Sequence, residues 1–369
     1  MNGQWIGTFQ GTNNGSLVVE LDDVGGGYEG SFIAIDQNPA LPNIRGDFIA
    51  PKNSKKFSLR IFLTAVDRAT GNPILADALK SGFPNAIQAK YADSNWSISD
   101  KQIDVSWSSD IATNGTGVVH RSAGQEDSKL VATEMDWNQF KEHATSLEPA
   151  RFVFRGQGNN RWKLRTSLHR TGRANLHRFM RQDVSALYRH LTGLTTHRFN
   201  LDNSHDYAAF LALVQHHGYP TPLLDWTLSP FISTYFAFKN AKPQEPPETN
   251  KVRLHVLDAI KWNSMFEKAQ VLAPTFLYMT VLEPLALNNP RVLPQQGISA
   301  VTNVDDLEKY IAEREMERDE EFLTAIDISI SERPKVMKEL ALMGINAGSL
   351  FPGLDGACEQ LKERYFGLL

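Results

Sequence analysis

Residues 215–231 read QHHGYPTPLLDWTLSPF. Gln215, His216 and His217 close an amphipathic helical run, and Gly218 is the residue type that ends such helices. Pro220 and Pro222 hold Tyr219 and Thr221 in extended backbone, because a residue before proline is pushed out of the α region. Leu223 to Thr227 then read as a short buried strand. Thr227 or Ser229 can cap the helix that follows, with Pro230 in its first turn. A helix, a turn, a strand and a second helix within thirty residues exclude an all-β or all-α reading of this half of the chain. They also gather polar side chains at a strand-to-helix junction, a place suited to anions and dinucleotides. A well-capped helix with a satisfied Asp225 is the plainer alternative.

Two other stretches repeat the theme. Residues 152–158, FVFRGQG, put an arginine at the end of an apolar strand, followed by a glycine-containing turn. Arg155 there can fork onto phosphate or carboxylate, and Gly156 and Gly158 would let a ligand approach the backbone. The alternative is a strand-end arginine in a salt bridge. Residues 289–298, NPRVLPQQGI, place Arg291, Gln295 and Gln296 before a strand-like run. His216 and His217 are adjacent and so diverge on a helix. With no paired histidine spacing elsewhere, no metal site is expected.

Residues 1–121 differ. Short runs alternate apolar and polar residues at 16–21, 28–33, 56–62 and 102–107, divided by Asn/Asp/Gly turns, and a helix is expected over 74–90. The pattern predicts an antiparallel β-barrel or sandwich. This region would serve as a structural or recognition module, a barrel holding a ligand in its mouth being the less expected form. Residues 122–135 are small and polar and read as a linker. From 136 to 369 helices are expected at 136–147, 174–191, 205–216, 304–313 and 331–343, and strands at 251–258 and near 298–302. The proline-rich 241–249 is a loop. The whole is an α+β chain of two domains.

The 369 residues are 41% hydrophobic and 22% charged, an ordinary globular balance. The net charge of −4 argues against a general nucleic-acid binder, although Arg161, Lys163, Arg165, His169, Arg170, Arg173, His177, Arg178 and Arg181 form a local basic cluster. The single cysteine, Cys358, excludes a disulfide framework and reads as a packing residue. Neither a leader peptide nor an apolar run of membrane-spanning length is evident, so a cytoplasmic location and no membrane partner are expected.

The three junction stretches resemble the FRG domain family, over about 137–369. The likeness rests on Phe154-Arg155-Gly156-Gln157, Trp162-Lys163-Leu164, Ser167-Leu168-His169-Arg170, residues 215–227, Tyr235-Phe236-Ala237, Arg291 to Gly297 and Gly344 to Gly356. In turn the domain resembles the ADP-ribosyltransferase fold. That resemblance implies NAD as substrate. It implies that Arg155 holds NAD, that Thr227 is the small hydroxyl residue ahead of the helix, and that Gln295 stands where a glutamate is usual. Asp225 would be the nearest carboxylate, with Glu320 or Glu321 as fallback. NAD-contacting residues would be Arg155, Gly156, Gln157, His216, His217, Trp226, Thr227, Arg291 and Gln295. The implied activity is transfer of ADP-ribose to a protein, nucleic acid or nucleotide by a toxin or antiviral-defence effector, with a phage or cellular trigger read by the N-terminal domain. NAD hydrolysis, or non-catalytic binding of nucleotide or nucleic acid, remain the alternatives.

Overall fold

The computed structural model describes residues 1–239, 241, 250–269, 272 and 275–366. The loop expected at 241–249 lies, apart from Ala241, outside the described residues. Eight antiparallel strands close into a barrel: β1 (Gly3–Gly11), β2 (Gly15–Asp23), β3 (Gly27–Asp36), β4 (Asn43–Pro51), β5 (Lys56–Val66), β6 (Tyr91–Ile98), β7 (Gln102–Ser109) and β8 (Asn114–Arg121). Register from Trp5↔Arg121 to Gly11↔Gly115 joins β1 to β8 and leaves no open edge. The seam is tight, since a Cβ on Gly7 would fall 2.0 Å from the Val118 carbonyl oxygen. Of the helix expected over 74–90, only α1 (Ala76–Gly82) forms. Pro84 keeps Phe83 out of the α region and stops it there.

The rest of the chain builds a seven-stranded sheet in the order β13-β14-β11-β10-β12-β15-β9. Its strands are β9 (Thr133–Glu134), β10 (Phe152–Gln157), β11 (Leu223–Thr227), β12 (Lys251–Asp258), β13 (Met279–Leu282), β14 (Gly297–Thr302) and β15 (Leu323–Ser329). The 122–135 segment is not loose: it supplies β9, which pairs parallel with β15, and Ser128 bonds both Arg161 O (through N–H) and Glu308 (through Oγ). Neighbouring pairs in this sheet are otherwise antiparallel.

The helices are α2 (Trp137–Ser146), α3 (Ser167–Arg170), α4 (Leu176–Arg178), α5 (Ser185–Leu191), α6 (Ser204–His216), α7 (Pro230–Lys239), α8 (Ala259–Met265), α9 (Leu307–Arg318), α10 (Arg333–Leu342), α11 (Ala347–Leu350) and α12 (Leu354–Tyr365). A π-helical stretch, Phe179–Val184, joins α4 to α5. One sheet face packs on α2, α7 and α10 through Phe154, Leu254, Ile326, Phe238 and Val336. The other packs on α8 and α9 through Val153, Leu224, Trp226, Trp262 and Ile311. None of the helices is long and apolar enough to cross a membrane, among the described residues.

The two halves dock through charge. Asp22 at the end of β2 is wholly buried. Its carboxylate accepts from the Ala174 N–H (2.8 Å), the Asn175 N–H (3.2 Å), Arg173 Nε (3.1 Å) and Arg178 (3.3 Å). Glu29 on β3 takes Arg178 at 3.0 Å and Arg181 at 2.7 Å. Gln4 donates to the Asn303 carbonyl at 2.6 Å and accepts from the Asp305 N–H. Much of the basic cluster is consumed here or close by. Arg173 also pairs with Asp183, Arg161 with Asp127, Lys163 with Asp306 and Arg165 with Asp305, while His169 is buried. Few of these cations are left for a phosphate backbone, so the reading of the cluster as a nucleic-acid track is not supported.

Removing a partner from a buried ion cluster strands the remaining charges, at about 3–5 kcal/mol. Asp22→Ala is therefore expected to undock the domains, seen as a lower melting temperature and new proteolytic cleavage near 122–135 in the otherwise folded protein. Glu20 lies at the same junction, bonded by Gln4 at 3.2 Å. Burial pushes its pKa up to about 8 from 4.5. The folded state then holds a proton that the unfolded state releases, so stability falls as pH rises from about 4.5 to about 8. Thermal melts across that window are expected to show this decline, and Glu20→Gln to flatten it.

Candidate functional site

Strands β10 and β11 are bridged at a single pair, Phe154↔Thr227, whereas β10 pairs with β12 over Phe152 to Gln157 and β11 with β14 over Leu223 to Thr227. Past that pair the two strands diverge, and the sheet opens. A cleft of about 1080 Å³ fills the opening. Of the residues expected to contact NAD, Arg155, Gly156, Gln157, His216, Trp226, Thr227, Arg291 and Gln295 line it, together with Asp225. His217 does not: it caps the end of α6, exposed, and points elsewhere than its neighbour.

Arg155 leaves β10 beside this gap. One terminal nitrogen donates to the Asp225 carbonyl at 2.6 Å, and its buried Nε has no partner among the described residues. Removal from water lowers its pKa to about 10, opposed by the charge of Asp225, so it stays a cation at neutral pH. Arg170 donates to the Arg165 carbonyl and Arg291 to the His216 carbonyl. None of these three guanidiniums forms an ion pair with a carboxylate among the described residues, unlike the paired Arg161, Lys163 and Arg165 at the same cleft. The salt-bridge alternative for Arg155 thus falls.

Asp225 is the exposed residue of an otherwise buried strand, patterned BBeBB. Gln215, at the end of α6, donates its amide to Asp225 Oδ1 at 2.5 Å. The Gln215 oxygen is itself held by the hydroxyls of Thr221 and Ser167. The two prolines noted in the sequence thus carry Thr221 to where it orients Gln215, and Gln215 orients the carboxylate. The fallback carboxylates are elsewhere. Glu320 bonds Lys261 on α8, and neither Glu320 nor Glu321 lines the cleft. Glu126 and Asp127 do line it, and Asp127 is paired with Arg161.

Three expected roles change. The close approach that Gly156 allows is that of α7, since a Cβ there would lie 1.9 Å from the Ser233 carbonyl oxygen and 2.9 Å from the Ala237 Cβ. The Thr227 hydroxyl is already committed, donating to the Gln295 carbonyl at 2.8 Å and accepting from the Ser229 N–H at 3.1 Å. Ser229 caps α7 by accepting from the Ile232 N–H at 3.2 Å. Trp226 is 3% exposed and packs among Val153, Leu164 and Leu224, so it floors the cleft rather than offering a free stacking face. The exposed aromatic at the cleft is Trp162, at 52%. Phe351 also lines it, beneath the Arg291 guanidinium at 5.6 Å. Gln295 ties to the Leu350 carbonyl at 2.9 Å, and His216 Nδ1 lies 2.8 Å from Asn289 Oδ1. Gln157 is buried, and its side-chain oxygen has no partner among the described residues. Sequence reasoning gave no cleft role to Arg170, Gln215 or Trp162, although Gln215 stood in the stretch that decided the fold. No cluster of three or more potential metal-binding side chains occurs among the described residues.

Residues 150–246 match the FRG domain family. The chain carries an FRG domain. The match includes Arg155, Asp225, Trp226 and Thr227 and stops short of Arg291 and Gln295, which the tertiary structure brings to the FRG cleft. No curated protein matches the chain. Among solved structures, a redesigned β-barrel matches at 10% identity with a TM-score of 0.23, covering 33% of this chain and 90% of its own. Rv2717c from M. tuberculosis matches at 11% identity with a TM-score of 0.20, covering 33% of this chain and 92% of its own.

Thr227→Val tests the revised role. Losing two hydrogen bonds at the junction is expected to destabilise the FRG domain by about 1–2 kcal/mol in chemical denaturation, while ligand affinity of the folded fraction changes less than threefold in calorimetric titration.

Proposed function

We propose that the FRG domain binds NAD in the cleft and transfers its ADP-ribose to a macromolecule or nucleotide. The observation that carries this reading is the set of three guanidiniums, Arg155, Arg170 and Arg291, facing the cleft without ion-pair partners among the described residues. Uncompensated cations in a concave site favour a ligand with adjacent negative charges, and a pyrophosphate has that chemistry. A volume of about 1080 Å³ accommodates a dinucleotide. Trp162 offers a flat apolar face for a base or the nicotinamide ring.

Cleavage of the nicotinamide–ribose bond passes through an oxocarbenium-like state, which a nearby carboxylate stabilises. In this reading Asp225, held by Gln215, supplies that charge, and Arg155 fixes the phosphates so that the ribose meets it. The bond to nicotinamide breaks, nicotinamide leaves with the electron pair, and an acceptor nucleophile takes the ribose C1 and loses a proton. Gln295 cannot act as a base; its amide orients the sugar or the α11 loop. The family resemblance extends the proposal to a toxin or antiviral effector in the cytoplasm, with the barrel as the part that meets a trigger.

Incubating the protein with labelled NAD and a cell lysate is expected to place label in a macromolecular or nucleotide product. Arg155→Ala is expected to abolish it, a loss of at least about 100-fold, and Asp225→Asn to reduce it while leaving NAD binding within about threefold. Labelling that persists in Arg155→Ala overturns the assignment. Free ADP-ribose with no labelled acceptor makes the activity hydrolysis.

A further inference from the structure

An eight-stranded barrel has an interior just wide enough to be filled by its own side chains or to hold one small molecule. This barrel does both, at opposite ends. At the end docked on the FRG domain, Trp5, Val19, Leu21, Ile103 and Val119 are fully buried and close the interior. Toward the other end the inward positions become small: Ala34, Ala92, Ser94 and Ser109. A cavity of about 190 Å³ remains between walls that include Phe9, Phe32, Ile61, Trp96 and Trp107. The irregular chain after α1 lies over its mouth, where Ile87 lines the cavity yet stays 78% exposed.

Several of the polar groups at this cavity are already hydrogen-bonded within the barrel. The Ser94 hydroxyl accepts from Trp96 Nε1 at 2.9 Å and donates to the Leu59 carbonyl. Ser109 and Thr113 bond each other at 2.6 Å. The Asp36 carboxylate accepts from Asn13 at 2.6 Å and from the Asn38 N–H at 2.8 Å. No lysine, arginine, histidine or cysteine lines the space, and its one carboxylate, Asp36, is already held by Asn13 and the Asn38 N–H. A mainly apolar cavity loses packing for every cubic ångström left empty. The walls carry four aromatic rings, with Phe9 edge-on to Trp107 at a centroid distance of 5.9 Å, an arrangement that receives another ring.

We propose that the barrel is a binding site for a small, uncharged, one- or two-ring aromatic molecule, distinct from the FRG cleft. A cavity near 150 Å³ accepts benzene, so about 190 Å³ beneath an open mouth suits a one- or two-ring molecule. The site is independent of the NAD reading.

The test uses 2-naphthol, neutral at pH 7, titrated into the full chain by calorimetry. Saturable binding of one molecule per chain with a negative heat-capacity change is expected. Ala34→Phe and Leu63→Trp, each filling the cavity from its wall, are expected to weaken binding about tenfold or more, and Arg155→Ala to leave it unchanged. Methyl NMR of the unaltered protein reads the same point without any substitution: Ile44, Ile61 and Leu63 shift on titration. Absence of saturable binding, or shifts confined to residues outside the barrel, overturns the proposal.

Discussion

The cleft depends on one pair of residues. Phe154 and Thr227 are the single bridge between β10 and β11, and the sheet is held together on either side by longer ladders. Backbone groups freed by the divergence must find other partners in a protein interior. The Asp225 carbonyl finds Arg155 and the Leu228 N–H finds the Gln296 carbonyl ahead of β14, while the Thr227 hydroxyl bonds the Gln295 carbonyl beside it. The divergence is therefore stabilised by the same residues that line the opening. A continuous ladder between these strands would close the space in which Arg155 and Asp225 meet.

Close packing sets the other boundary. Gly156 lets α7 lie directly on β10, which brings Ser233 and Phe236 to the cleft and places the N-terminus of α7 next to Thr227. The wall behind the site is thus packed as closely as a core. Its front is assembled from distant segments, with Arg170 from α3, Arg291 and Gln295 from the approach to β14, Phe351 after α11, and Gly124 to Asp127 from the interdomain segment. Asn2, at the start of the barrel chain, reaches it as well. The buried carboxylate of Asp22, four-fold bonded by the segment 173–178, fixes the barrel against the domain that carries the cleft.

Charge pairing separates two kinds of cation that look alike in a sequence. Arg173, Arg178 and Arg181 belong to the domain interface, and Arg161, Lys163 and Arg165 to local ion pairs. Among the described residues, Arg155, Arg170 and Arg291 hydrogen-bond only to carbonyls and form no ion pair. That division narrows the ligand from a polyanion following a basic track to a compact anion held at one place. It also removes the interdomain surface from consideration as an open binding face.

Local pattern determined a good deal. Period-two alternation and Asn/Asp/Gly turns specify the barrel strands, because a half-buried strand needs that alternation whatever its neighbours. Proline, glycine and serine around 218–230 specify the strand-to-helix junction, because their backbone limits are intrinsic to the residues. The motif Phe154-Arg155-Gly156-Gln157 marked the domain. Tertiary structure alone decided the remainder. It closed the barrel instead of forming a sandwich, since closure depends on β1 meeting β8 more than a hundred residues away. It made Gly156 a helix contact and Thr227 a structural hydroxyl, and it turned His217 away. It gave Gln215 the work of orienting Asp225. These outcomes rest on which groups find partners across long sequence separations, and no local pattern carries that information.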